Sequence, residues 1–136
     1  MSALFAWPVR VYYEDTDAGG IVFYANYLRF MERARTEWLR AAGVHQHTLK
    51  ERAGLLFVVK SVMVDYQAPA VLDDQLQVTV EVQKIGKASI LLAQQVIRGE
   101  QVLVTSTVKI GCVSASDLRP AAIPAGVLQA MQQNNE

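Results

Sequence analysis

The chain has 136 residues, enough for one domain with its own hydrophobic core. Half of them are apolar (51%) and 19% are charged, a balance that argues against intrinsic disorder. Thirteen basic residues match thirteen acidic ones, so the formal net charge is zero, which argues against a nucleic-acid partner and leaves self-association electrostatically unopposed.

Cys112 is the single cysteine, so no intrachain disulfide can form. It lies among Val and Ile, where a free thiol acts as a small core hydrophobe rather than a nucleophile. The first 17 residues show no basic n-region, sustained apolar core or small-residue cleavage site. The longest purely apolar run, residues 55–59, is too short to cross a bilayer. The expectation is a cytoplasmic protein with no integral membrane segment.

In chain order, residues 7–13 have the β-branched and aromatic character of a strand, with Pro8 near its entry. Residues 15–20 break it with turn formers. From Asn26 the pattern turns helical, with Tyr27, Met31, Ala34, Trp38 and Ala42 recurring at threes and fours. The spacing predicts a helix of roughly 16–18 residues, with Asn26 as N-cap and Gly43 as the C′ stop. His45 and His47 then fall in a loop.

Four strands follow. Residues 55–66 alternate with Phe57, Val59, Ser61, Met63 and Asp65 on one side, against Val58, Lys60, Val62, Val64 and Tyr66 on the other. Residues 75–84 alternate cleanly, with Leu76, Val78, Val80 and Val82 on the buried face. Gly86 introduces a strand at 89–98, and a tight turn at Gly99-Glu100 leads into the last, at 102–113. Residues 124–133 are expected to form a short helix. One long helix and a mainly antiparallel sheet of about five strands give an α+β fold whose sheet wraps the helix. Its edges need management, and dimerisation is the economical solution.

Residues 11–40, VYYEDTDAGGIVFYANYLRFMERARTEWLR, concentrate the chemistry. Asp15 and Asp17 both suit turn chemistry, their side chains bonding backbone amides two residues on. The same segment also suits a hydrolytic site. A carboxylate stands beside a helix start with open amides, and Gly19 and Gly20 let backbone approach a ligand closely. That environment favours a nucleophile or general base over a general acid. Both readings stand on the residues alone. Glu32 and Arg35 suit either helix-surface pairing or an oligomer contact, and Tyr12, Tyr13, Phe23 and Trp38 suit core or interface. His45 and His47 lack a third ligand at metal-binding spacing, so no metal site is expected.

Three patches carry a resemblance: VRVYYEDTDAGGIVFYANYLRFMERARTEWLR (9–40), YQAPAVLDDQLQV (66–78) and IGKASILL (85–92). Their D-x-D-x-x-G segment, followed by a Y-x-x-x-x-E-x-x-R helix, is similar to the 4-hydroxybenzoyl-CoA thioesterase family of hotdog-fold proteins. Within it, the chain most resembles the YbgC branch of acyl-CoA thioesterases.

The resemblance implies a hotdog fold that pairs into a dimer with a continuous sheet, often a tetramer, with sites at the subunit interface. It implies an acyl-CoA substrate and no cofactor. It aligns Asp17 with the catalytic carboxylate and makes Asp15 a supporting turn residue. It also places backbone amides around Tyr24 to polarise the thioester carbonyl. Many members of the branch carry His where this chain has Tyr24; an amide role needs no particular side chain. Substrate contacts are expected from Gly19, Gly20 and Ser89, and CoA phosphate contacts from Lys60 and Lys87, with Lys84 and Arg98 as further basic candidates. A hotdog hydratase or dehydratase, which generally needs a catalytic histidine beside the carboxylate, is one alternative. An acyl-thioester-binding or Tol-Pal-associated envelope protein is another.

Overall fold

The apolar stripe at threes and fours folds as α1 (Asn26–Ala41), which buries Tyr27, Phe30, Met31, Ala34, Trp38 and Leu39. The structure, a computed structural model, describes residues 4–133. The helix stops as expected at Gly43, whose φ of 84° is open to glycine without strain. There the Gly43 N–H donates to Arg40 O (3.0 Å) and the Val44 N–H to Leu39 O (2.8 Å), the paired bonds of a Schellman cap. The start differs from the expectation. Ala25 holds the N-cap position and Asn26 is already helical, because its side chain is engaged elsewhere.

A second helix, α2 (Gln46–Ala53), replaces the expected histidine loop. It buries no residue, so it leaves no apolar periodicity to detect. His45 sits at its N-cap position, and the exposed His47 lies 3.2 Å from Glu51 one turn on.

The strands are β1 (Phe5–Arg10), β2 (Leu55–Tyr66), β3 (Gln75–Ile85), β4 (Ser89–Arg98) and β5 (Gln101–Ser114). They form one antiparallel five-stranded sheet in the order β1-β3-β4-β5-β2. α3 (Ala125–Gln133) closes the described chain. α1 lies against β1, β3 and β4, so the sheet wraps the long helix in the hotdog arrangement. Buried residues stack in register beneath it: Val78, Val96 and Val104 in one row, Leu92 and Val108 in the next, Ile90 and Ile110 beyond. No helix among the described residues is long and apolar enough to cross a membrane.

Two expected strands change. β1 ends at Arg10 rather than at residue 13, since the chain turns into a single 3-10 turn at Tyr13–Asp15. In β2 the expected sidedness fails at a bulge between Val59 and Ser61. Phe57 and Val59 pair with Cys112 and Ile110, while Val62, Val64 and Tyr66 pair with Val108, Ser106 and Val104. These β5 partners alternate without interruption, so all five β2 residues share the helix-facing side. The extra residue, Lys60, reverses the parity of everything after it.

β2 is also an edge strand, and an apolar one. Val59, Val62, Met63 and Tyr66 are exposed along it, Met63 by 68%.

Candidate active site

The two aspartates have separate tasks. Asp15 is only 6% exposed. Its Oδ2 accepts the Tyr12 N–H (2.8 Å) and its Oδ1 accepts the Asn26 side-chain amide (2.7 Å). The Asp15 carbonyl takes the Phe23 N–H at 3.0 Å. These bonds tie both ends of the intervening loop to the first residue of α1, and they explain why Asn26 is not the cap.

Asp17, two residues on, is exposed. A Thr16–Val22 bridge closes the loop around it. The Asp17 N–H donates to Ile21 O (2.9 Å) and the Gly20 N–H to Asp17 O (3.0 Å). Gly20 makes this reversal at φ 80°. Asp17 Oδ1 accepts the Gly19 N–H at 2.8 Å. A Cβ at Gly19 would stand 3.2 Å from that oxygen, so glycine lets the backbone close on the carboxylate. Both glycine amides are engaged inside the loop. Asp17 Oδ2 accepts no hydrogen bond among the described residues.

The loop runs into a turn that opens α1. The Asn26 N–H donates to Phe23 O (2.8 Å) and the Leu28 N–H to Ala25 O (3.1 Å). The Tyr24 N–H meets no acceptor among the described residues. Its side chain is 64% exposed, with the ring 4.9 Å from that of Phe23 and 6.2 Å from that of Tyr66. The Tyr66 hydroxyl donates to the Tyr24 carbonyl at 2.9 Å.

Beside this turn lies a mostly apolar cavity of about 260 Å³, lined by Ile21, Val22, Tyr24, Tyr27, Tyr66 and residues 67–69. Its walls are cross-braced. The Ala70 N–H donates to the Tyr27 hydroxyl (3.0 Å), and the Val22 N–H to Ala70 O (2.9 Å). Behind them, Arg98 Nη1 lies 2.7 Å from Asp74 Oδ2, which also accepts the Val71 N–H at 2.9 Å. Burial pushes the Asp74 carboxyl up, but the Val71 N–H and the Arg98 guanidinium outweigh it and hold the group below its ordinary value. Burial raises the Tyr27 and Tyr66 hydroxyls, so both act as neutral groups at pH 7. Tyr66 and Tyr27 are the site residues that sequence reasoning left without a role. The signal for Tyr66 lay in the YQAPA patch at the end of β2, and Tyr27 was part of the apolar stripe of α1.

The remaining candidates lie elsewhere in the chain. Ser89 pairs with Gly111 on β5, while Tyr66 pairs with Val104. That separation along β5 corresponds to about 23 Å. Lys60 lays its methylenes over Gly111, where a Cβ would stand 2.9 Å from Lys60 Cδ. The Lys87 carbonyl accepts the Ile123 N–H at 3.0 Å. Ser89, Lys60 and Lys87 thus gather at the end of the sheet away from Asp17.

Arg35 reaches the buried Gln94 (2.9 Å), whose amide donates to Met31 O (3.1 Å) and Thr79 O (3.2 Å). Desolvation lowers the Arg35 pKa, with Glu32 opposing. Trp38 is core, whereas Tyr12, Tyr13 and Phe23 are exposed around the loop. Burial raises the Cys112 thiol, which disfavours a nucleophilic thiolate. His45 and His47 lie beyond the far end of α1, about 24 Å along the helix from Tyr24. A hydratase-type histidine beside Asp17 is therefore missing among the described residues. Nor do the described residues place three His, Cys, Asp or Glu side chains together for a metal.

The sequence profile of the thioesterase-like superfamily matches residues 11–131, which take in the Asp17 loop, the Tyr24 turn and the cavity. The acyl-CoA thioesterase YbgC of Haemophilus influenzae is 50% identical over 120 residues, 88% of either chain. The chain belongs to the thioesterase-like superfamily, in its YbgC branch. The acyl-CoA thioester hydrolase YbgC of Escherichia coli O157:H7 is 41% identical over 133 residues, 97% of this chain and 98% of that one. Among solved structures, a probable thioesterase from Bartonella henselae superposes with a TM-score of 0.84 at 32% identity, covering 90% of this chain and 100% of its own. In this thioesterase-like chain the Asp15 bonds to Tyr12, Asn26 and Phe23 brace the loop against the start of α1.

Proposed function

We propose that this protein hydrolyses acyl-CoA thioesters, with Asp17 as nucleophile or general base and the Tyr24 N–H as oxyanion donor. The observation that carries this reading is the pairing of an exposed carboxylate, one oxygen held and the other open, with an amide lacking an acceptor. Asp15 joins the two through the Tyr12 N–H and the Asn26 side chain.

A thioester carbonyl is already electrophilic, so the protein must orient an attack and stabilise one developing negative charge. In one route Asp17 Oδ2 attacks the carbonyl carbon, CoA leaves as thiolate, and water hydrolyses the mixed anhydride. In the other, Asp17 takes a proton from water as the hydroxyl attacks. Either route consumes one water and gives free acid and CoA. An oxyanion donor is worth ~3–4 kcal/mol and a positioned base about 10²–10⁴ in rate. The Phe23 carbonyl, accepting the Asn26 N–H, polarises the peptide that carries the Tyr24 N–H and strengthens it as a donor. The Tyr24 ring takes no part in that role. The adjoining cavity, largely apolar, suits the acyl group.

The working form is a homo-oligomer built on β2. An apolar, uncovered edge strand pairs with its own copy, and in an antiparallel pair the start of one strand lies beside the end of the other. That arrangement brings the Leu55 end of one copy's β2 beside the Tyr66 end of its partner, with Lys60 at mid-strand between them. It supplies the CoA phosphates with the basic groups that a single chain holds far from Asp17.

Thiol release from a panel of acyl-CoAs, short to long and aromatic, tests the reading. Turnover of at least one substrate is expected. Failure to hydrolyse any of them overturns it.

A further inference from the structure

We infer that Tyr66 is a positioning residue for this hydrolysis: its hydroxyl, reaching from the sheet edge to the helix start, holds the peptide unit that aims the Tyr24 N–H. The inference rests on the reading of that amide as the oxyanion donor. Residue 24 is pinned on both sides. The Phe23 carbonyl, in the same peptide as the Tyr24 N–H, accepts the Asn26 N–H at 2.8 Å. The Tyr24 carbonyl, in the next peptide, accepts the Tyr66 hydroxyl at 2.9 Å. Two fixed peptide planes leave the backbone dihedrals between them, and hence the direction of the N–H, little freedom.

The residue doing this lies 42 positions away in sequence and on another element. It holds its place by ring packing, edge-on to Tyr24 at 6.2 Å and tilted against Tyr27 at 5.6 Å. A tyrosine hydroxyl is protonated at neutral pH, as a donor must be, and desolvation shifts this one further in that direction. Tyr66 therefore has two separable functions: its ring walls the cavity, and its hydroxyl sets the amide.

The test compares wild type, Tyr66→Phe, Tyr66→Leu and Asp17→Asn as full-length proteins. Steady-state kinetics use the preferred acyl-CoA. Binding uses a thioether analogue that keeps the acyl chain and CoA but lacks the carbonyl. Tyr66→Phe keeps the ring and loses the donor, so kcat falls about tenfold while KM and the thioether Kd stay within about twofold. Its pH profile keeps the wild-type shape at a lower plateau. Tyr66→Leu loses the wall as well, so the thioether Kd also weakens.

An unchanged kcat in Tyr66→Phe overturns the inference, as does a thioether Kd weakened as much as kcat. A pH profile changed in shape would instead make Tyr66 a proton-transfer group, which overturns the positioning role. Asp17→Asn separates the two levels of argument. If it retains full activity, the role of Asp17 falls, while Tyr66→Phe still decides the role of Tyr66. If it is inactive beside a fully active Tyr66→Phe, only the Tyr66 role falls.

Discussion

Replacing Asp15 with alanine removes the acceptor of two hydrogen bonds, from the Tyr12 N–H and from the Asn26 amide. The Asn26 bond is buried, so its stranded amide loses its partner without gaining water, a cost of about 1–3 kcal/mol. The Tyr12 bond is only partly buried and water replaces it more cheaply, adding about 0.5–1 kcal/mol. A total near 3 kcal/mol, with an unfolding entropy of about 2.1 cal/mol/K per residue over 136 residues, lowers Tm by about 10 °C. Asp17→Ala removes one exposed local bond to Gly19 and moves Tm by less than about 2 °C. Calorimetry or thermal circular dichroism on both variants, with Asn26→Ala and the Asp15→Ala/Asn26→Ala double variant, resolves the matter. The double variant is expected to cost little more than Asp15→Ala alone, because the pair shares one bond. Equal Tm losses for Asp15→Ala and Asp17→Ala, or additive losses in the cycle, would refute the division of labour between the two aspartates.

Gly20→Val forces a β-branched residue to φ 80°; activity is expected to fall at least tenfold, since the strain of about 1–3 kcal/mol sits in the loop that carries Asp17, and kcat measured beside Tm checks it. The Asp74 carboxyl is held below its ordinary value, so its ion pair with Arg98 stabilises the fold at neutral pH and stops doing so as pH falls through the folded pKa. The Tm gap between wild type and Asp74→Asn should therefore be widest near neutrality and narrow as pH drops below about 4; a gap constant with pH contradicts this. Val62→Glu places like charges on the exposed β2 edge, and light scattering should show a shift to monomer mass with loss of activity.

How far the sequence disclosed the fold depended on the range of the interactions. α1 was legible because its buried stripe repeats at helical spacing and glycine ends it. β2 and β4 were legible to the residue because turn formers flank them. The sidedness of β2 was not, because a one-residue bulge at Lys60 leaves no mark in an alternating pattern. α2 was missed because it buries nothing. Asn26 has the composition and position of a cap, and only the fold shows that Asp15, 11 residues back, claims its side chain. Asp17 stood out through local turn chemistry beside a helix start. Tyr66 did not, because its partner lies 42 residues away and nothing near either residue announces the pair. The grouping of Ser89, Lys60 and Lys87 with Asp17 came from resemblance alone, and within one chain they stand at opposite ends of the sheet.

In the proposed mechanism the Asp17 carboxylate performs the chemistry of thioester hydrolysis. Single-turnover hydrolysis of the preferred acyl-CoA by wild type and Asp17→Asn, with thioether binding as the control for an intact site, tests it most directly. The rate is expected to be at least about a hundredfold lower in Asp17→Asn, with the thioether bound as in wild type. A variant that hydrolyses the thioester at the wild-type rate would remove Asp17 from the mechanism.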